Sequence, residues 1–326
     1  MLFRTEIYIE PTPVKITYND PAMFLGSCFA VSIGEKFKTG RMPVLINPSG
    51  TMFNPVSVSK TLSNIIKGTV VSEKDLFEFD GKWVSFDHYT EFSSDNPDKV
   101  LEKVNTATRL ANQFIGKAKF LFITFGTARI YRLKGTGSVV SNCHKIPSGY
   151  FSQDLMKTDD ITGIWLPVLD EIKTLYPNLK IIFTISPVRH WKDGPHGNTI
   201  SKSTLFMAVE ELLKHSSEPM YFPAYELLMD DLRDYRFYDS DMLHPSAEAI
   251  DYIWDKFTGC YFDINTLNLW NEAETIFKGF NHILKTNDLS GLKKFALVML
   301  MKISEFENKV PIVDFTSEKE YFKKFI

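Results

Sequence analysis

The feature that most constrains the fold is a repeated unit: a short apolar run, a turn, and then apolar residues at helical spacing. Residues 22–25 (Ala-Met-Phe-Leu) form the first run, which breaks at Gly26 and is followed by Phe29, Ile33 and Phe37. Val44-Leu45-Ile46 ends in Asn47-Pro48-Ser49-Gly50 and leads into a helix predicted over 56–66. A third run, 120–125, stops at Gly126, and a fourth, 180–185, stops at Ser186-Pro187. A weaker fifth run, 220–222, stops at Pro223. Helical patterns over 97–116, 164–175 and 204–214 lie between them. Strands alternating with helices are buried on both faces. The pattern therefore predicts a three-layer α/β sandwich around a five-stranded parallel sheet. Ligands in such a sheet sit at the carboxyl ends of the strands, where the turn residues above are found.

Two stretches depart from the repeat. Residues 76–84 alternate around Asp80-Gly81 and read as a β-hairpin that extends the sheet, with a lid over the site as the alternative. Beyond Cys260, helices are predicted over 267–285 and 292–306, the second carrying an apolar stripe of Phe295, Met299, Ile303 and Phe306. No Pro/Gly/Ser-rich linker precedes them. The expected organisation is an α/β domain over 1–260 with a C-terminal helical extension, 261–326, packed on it.

At 326 residues the chain can bury a large core. A net charge of −3 with no block of like charge gives no electrostatic basis for binding nucleic acid or an anionic membrane. No apolar run reaches the ~20 residues that span a bilayer, and the first residues lack the apolar core of a signal peptide. Three cysteines, Cys28, Cys143 and Cys260, do not suggest a disulfide framework, and the lack of a Cys-x-x-Cys pair argues against a zinc site. The expectation is a cytoplasmic protein with reduced thiols and no metal or organic cofactor. Asp230, Asp231 and Asp234 read as a solvated helix face.

The chemistry concentrates in two places. A strand, a tight turn and a helix put Ser27 and Cys28 at the first helical turn, where free N–H groups and the positive end of the dipole gather. A thiol or hydroxyl there is a candidate nucleophile, and both helix terminus and a neighbouring imidazole favour a thiolate. The second place is Ser240-Asp241-Met242-Leu243-His244-Pro245-Ser246. Pro245 suits the first position of a helix whose buried face is Ala247, Ile250, Trp254 and Phe257. Asp241 can accept the Nδ1–H of His244, leaving Nε2 to take a proton from a nucleophile. After the fourth strand, Arg189 and His190, with Lys192 and Lys202, can hold a carboxylate or phosphate on a substrate. Cys143 and His144 are adjacent in a loop after the third.

Gly26-Ser27-Cys28-Phe29-Ala30 is similar to the name-giving motif of the GSCFA family, itself resembling the SGNH (GDSL-type) hydrolases. Phe125-Gly126-Thr127-Ala128, Asn142-Cys143-His144-Lys145, Ser186-Pro187-Val188-Arg189-His190, Ser201-Lys202-Ser203 and the stretch from Arg236 to Pro245 resemble that family too. The resemblance implies that Cys28 takes the nucleophile's place, with Ser27 the competitor if the turn is shifted by one residue. It implies that Asp241 and His244 are the acid and base, and that Gly50, Gly126 and the Cys28 N–H form the oxyanion hole. The third-block asparagine of the superfamily is replaced by Thr127, leaving Asn142 or Asn54 to supply an amide. The implied activity is acyl-ester hydrolysis or acyl transfer on a small or carbohydrate-like substrate, with a non-catalytic binding protein that keeps the pocket as the alternative.

Overall fold

The computed structural model describes residues 4–281 and 289–326. His282 and the end of the helix predicted over 267–285 lie outside the described residues.

The strands in chain order are β1 (Ala22–Gly26), β2 (Val44–Ile46), β3 (Phe77–Phe79), β4 (Lys82–Val84), β5 (Phe120–Phe125), β6 (Arg129–Leu133), β7 (Val139–Val140), β8 (Phe151–Leu155), β9 (Lys180–Ile185) and β10 (Met220–Tyr221). The helices are α1 (Cys28–Thr39), α2 (Pro55–Lys67), α3 (Pro97–Ile115), α4 (Thr158–Leu175), α5 (Gly194–Leu212), the short α6 (Ala224–Glu226), α7 (Ala247–Tyr261), α8 (Ile264–Asn281), α9 (Leu289–Lys309) and α10 (Thr316–Lys323).

Five strands form a parallel central sheet in the order β10-β9-β5-β1-β2, the middle layer of a three-layer α/β sandwich. β1, β5 and β9 are apolar at nearly every position because both faces are covered. Their register pairs Leu25 with Ile123 and Ile123 with Phe183. Since strand side chains alternate between faces, Leu25, Ile123 and Phe183 share one face, packed with Val58 and Leu62 of α2, Trp165 and Leu169 of α4 and Leu205 of α5. Phe24 and Phe122 point to the other and stack at 4.5 Å. Counting the sheet strands by chain order, the connection direction reverses between β1 and β5. That reversal is the topological switch point, where the crevice of a doubly wound sheet opens.

The structure corrects several expectations. The 76–84 hairpin does form, but as a separate two-stranded sheet and not as an extension of the central one. It is held by the Leu76–Val100–Val104 cluster, with Trp83 bridged to Ser94. A three-stranded antiparallel sheet, β7-β6-β8, stands where only a loop was expected after β5. α5 starts ten residues ahead of its apolar pattern, at Gly194-Pro195. α7 begins at Ala247, because Pro245 is engaged in a bridge with Tyr238. Its buried face is Ala249, Ile253, Trp254 and Phe257; Ala247 is exposed and Ile250 half-buried. Asp231 is buried, accepting hydrogen bonds from Arg4 Nε at 2.7 Å and Tyr252 Oη at 2.7 Å.

The chain divides into two compact units. Among the described residues the first comprises 4–8, 21–34 and 45–253 and holds the central sheet apart from Val44 of β2. The second comprises 9–20, 35–44, 254–281 and 289–326, so that two N-terminal segments join the C-terminal helices. Its interior is aromatic: Phe37 meets Trp254, Phe257 and Phe262 edge-to-face, and Trp270 donates to Lys36 O at 2.9 Å. Within it, Met299, Ile303 and Phe306 of the predicted α9 stripe are buried, and Phe295 is half-buried.

Candidate active site

All the candidate residues belong to the first unit and lie at the carboxyl ends of its strands. β1 runs into α1 through Gly26 and Ser27. Gly26 has a φ of 130°, and a Cβ there would fall 2.1 Å from Thr124 O, so only glycine fits. Asn47 fixes this turn from the β2 exit. Its Oδ1 accepts Gly26 N–H at 2.8 Å and its Nδ2 donates to Gly26 O at 3.1 Å. Ser27 N–H donates to Thr124 O at 3.1 Å and prolongs the ladder by one residue. The helix then begins at Cys28.

A cavity of about 480 Å³ opens here. Ser27, Cys28, Thr127, Asn142, Arg189 and His244 all line it. Ser27 is only 1% exposed and its Oγ has no hydrogen-bond partner, whereas Cys28 is half-buried and reachable. Burial pushes the Cys28 thiol above its ordinary range. The N–H groups of Phe29 and Cys28 itself and the Lys202 ammonium act against that, while the Asp241 carboxylate adds to it. The thiolate expected from the helix terminus is thus outweighed by desolvation, and the resting group is a thiol.

Asp241 and His244 form a self-contained pair on the loop before α7. Asp241 Oδ1 accepts the N–H groups of Leu243 and His244 at 2.8 and 2.9 Å, and Oδ2 lies 2.6 Å from His244 Nδ1. The His244 N–H, its imidazole and the Leu243 N–H hold the Asp241 carboxyl down at about 2. The loop is closed by Asp239 N–H to His244 O at 2.8 Å and Ser246 N–H to Phe237 O at 2.9 Å. The carboxylate fixes the tautomer with the proton on Nδ1, so Nε2 is the free lone pair. The His244 side chain is 47% exposed on the cavity's edge.

The two glycines expected as oxyanion donors are otherwise engaged. Gly50 donates its N–H to Asn47 O at 2.7 Å within the β2 turn. Its φ of 84° and the closeness of Tyr89 explain the glycine there: a Cβ would fall 2.1 Å from that of Tyr89. It does not line the cavity. Gly126 and Thr127 both donate their N–H groups to Phe53 O, at 2.7 and 3.0 Å. Asn142 is spent on the loop: Nδ2 donates to Thr90 Oγ1 and Oδ1 accepts His144 N–H. Asn54 is different. Its Oδ1 caps α2 by accepting Ser57 N–H at 2.9 Å, and the residue lines the cavity.

Two further groups shape the floor. Lys202 is 2% exposed, and its Nζ donates to Gly126 O at 2.7 Å and Ser186 O at 2.6 Å. His190 lines the cavity beside Phe53, at 5.7 Å edge-to-face. Burial, the Lys202 cation and His244 bring its imidazole down to about 4, so it is neutral at pH 7. One wall comes from the antiparallel β6–β8 sheet, through Arg129, Tyr131, Val140 and Gln153. Sequence reasoning missed that wall. The alternation of 129–133 and the Lys134-Gly135-Thr136-Gly137 turn carry its signal. His144 faces away from any catalytic role: its Nε2 is 2.7 Å from Ser85 O. Among the described residues no group of three or more His, Cys, Asp or Glu side chains could hold a metal ion.

No curated protein matches the chain in sequence. A crystal structure of a carbohydrate esterase family 3 from Talaromyces cellulolyticus is similar at 9% identity and a TM-score of 0.36, covering 78% of this chain and 99% of that one. The GSCFA family model matches residues 21–257, the stretch that contains the central sheet, the Ser27-Cys28 turn and the Asp241–His244 loop. The chain belongs to the GSCFA family.

Proposed function

We propose that the protein is an acyl-ester hydrolase or acyltransferase of SGNH type, with Cys28 as nucleophile, His244 as general base and then acid, and Asp241 orienting His244. The observation that carries this reading is the shared cavity. The thiol at the first turn of α1 and the oriented imidazole of a 2.6 Å Asp241–His244 pair line the same space. His244 Nε2 takes the Cys28 proton as sulfur attacks the acyl carbonyl. The carbonyl π electrons move onto oxygen, and the tetrahedral intermediate collapses by expelling the alcohol, which receives the proton from His244. Water, or a second alcohol, then attacks the thioester by the same exchange. Cys28 is preferred over Ser27 because Ser27 is buried. The oxyanion has the N–H groups of Cys28 and Phe29 at the start of α1, which already face the sulfur. Asn54 Nδ2 is the nearest match to the superfamily's missing amide. The substrate is small or glycan-like on the size of the cavity. A nucleophilic thiol kept unpaired, as all three cysteines are, suits the cytoplasm. No described helix is long and apolar enough to cross a membrane.

A binding role without turnover is the second reading. The specific observation in its favour is that the Gly50 and Gly126 N–H groups are both committed to backbone carbonyls. Hydrolysis of p-nitrophenyl acetate by the parent, Cys28→Ala and Ser27→Ala decides between them. The proposal expects Cys28→Ala to be inactive and Ser27→Ala to retain turnover. A Cys28→Ala protein as fast as the parent would remove Cys28 from the chemistry.

A further inference from the structure

A second cavity, of about 590 Å³, adjoins the first. The two share Arg189, Trp191 and Leu243 in their walls. The charges around this junction do not balance. The acidic groups are already committed. Asp241 is held by His244 and two N–H groups. Asp234 accepts Arg236 N–H at 3.0 Å and has the Arg236 guanidinium at 3.4 Å. Asp193, on the first cavity, faces Arg129 at 3.4 Å and Gln153 at 2.9 Å. Arg233 is near Asp230, at 3.9 Å. Arg189 is the exception. It takes part in no ion pair among the described residues, and its buried Nε has no hydrogen-bond partner. Its guanidinium lies 5.7 Å over the Trp191 ring, which braces it without neutralising it. Beneath the same floor the buried Lys202 ammonium also lacks a carboxylate, being held by two carbonyl oxygens.

A half-buried guanidinium with an unsatisfied N–H, beside a second unpaired cation, is costly unless an anion completes it. We propose that Arg189 is an anion subsite, and that the substrate of this protein carries a carboxylate or a phosphate monoester gripped by the guanidinium fork where the two cavities meet. Arginine suits this task because its planar donors match two oxygens of either group at once. The anion at Arg189 would hold the acyl carbonyl toward Cys28 in the first cavity, while the rest of the substrate occupies the second. Where the acyl end sits rests on the acyl-transfer reading above; the anion subsite itself does not.

Isothermal titration calorimetry with inorganic phosphate, and separately with succinate, at constant ionic strength tests the subsite on the full chain. The expected result is saturable binding, weakened about tenfold or more in Arg189→Gln. Arg189→Lys, which keeps the charge and the stem, should retain part of the affinity. Arg132→Gln, on the exposed Arg132–Asp154 pair, should bind as the parent does. Tighter phosphate identifies a phosphate monoester as the substrate's anion, and tighter succinate a carboxylate. The proposal is overturned if neither anion binds, if Arg189→Gln binds like the parent, or if Arg132→Gln weakens binding equally. Should Arg189→Gln fail to fold, unaltered binding by Arg189→Lys, or a loss in Arg132→Gln as large as that in Arg189→Lys, would overturn it. If Cys28 proves inert while Arg189-dependent binding persists, the acyl-transfer reading falls and the subsite stands.

Discussion

Cys28 is pulled two ways. The first turn of α1 offers it N–H donors, yet burial is the larger influence and keeps it protonated. Its rate of alkylation by iodoacetamide, followed by peptide mass, should therefore rise with pH with an inflection above the ~8.5 of a free thiol. An inflection at or below the free-thiol value would contradict this balance. A nucleophile protonated at rest depends on its base, which gives Asp241 its weight. Asp241→Asn keeps an oxygen for the two N–H groups but turns an N–H toward His244 Nδ1, reversing the tautomer. Activity on p-nitrophenyl acetate should fall by about two to four orders of magnitude. Because the Asp241 carboxyl is held down at about 2, the carboxylate is present throughout the range above pH 4, and the acid limb of the parent's pH–rate profile should not be its titration. A variant with parental turnover would make Asp241 a loop-closing residue only.

At the scale of elements, the strands were the legible part. Residues 22–25, 120–125 and 180–185 are almost wholly apolar, Thr124, Thr184 and the exposed Lys180 aside, because both faces of the sheet are buried, and their shortness and flanking turn residues mark them as strands. The Ser27-Cys28 turn and the Asp241–His244 pair were legible for a related reason, since each is a local arrangement within a few residues. The oxyanion donors were not. The Gly126 N–H is taken by Phe53 O, a partner contributed by another part of the fold, and the Gly50 N–H by Asn47 O, in a turn whose geometry no residue pattern announces. Asp231 likewise looked solvated until Arg4 and Tyr252 closed over it. The start of α5 was hidden because Gly194-Pro195-His196-Gly197 carries no apolar period. Asn54 joins element and site, so two substitutions separate its roles. Asn54→Ser keeps a capping oxygen for α2 and deletes the amide donor. Its unfolding free energy in urea should match the parent within about 0.5 kcal/mol. Its turnover should fall by about two orders of magnitude. Asn54→Ala should lose about 1 kcal/mol of stability as well. Equal turnover in parent and Asn54→Ser would leave Asn54 as a cap alone.

For the whole molecule, the buried Lys202 links stability to the site. Burial brings its ammonium down to about 7 from 10.5, against the favourable pull of Cys28 and with the repulsion of Arg189. Between those two values the unfolded chain binds a proton that the folded chain does not. Stability from this group therefore rises with pH across that window, by up to about 1.4 kcal/mol per unit. Urea unfolding of the parent and Lys202→Met at pH 7, 8 and 9 should show the parent gaining on the variant, and parallel curves would contradict the burial of a titrating lysine. The division into two units was hidden from the sequence, because the second is assembled from segments far apart along the chain. The site itself draws on 27–28, 54, 126–127, 189–190, 202 and 241–244, all within the first. Its chemistry can be read from a single covalent event. The protein is incubated with p-nitrophenyl acetate, quenched in acid, and the acetyl group located by peptide mass. The account predicts an acetyl thioester on Cys28, removed by neutral hydroxylamine, absent from Cys28→Ala and formed much more slowly in His244→Ala. An acetyl ester on Ser27, or Cys28 left unmodified while ester is consumed, would contradict it.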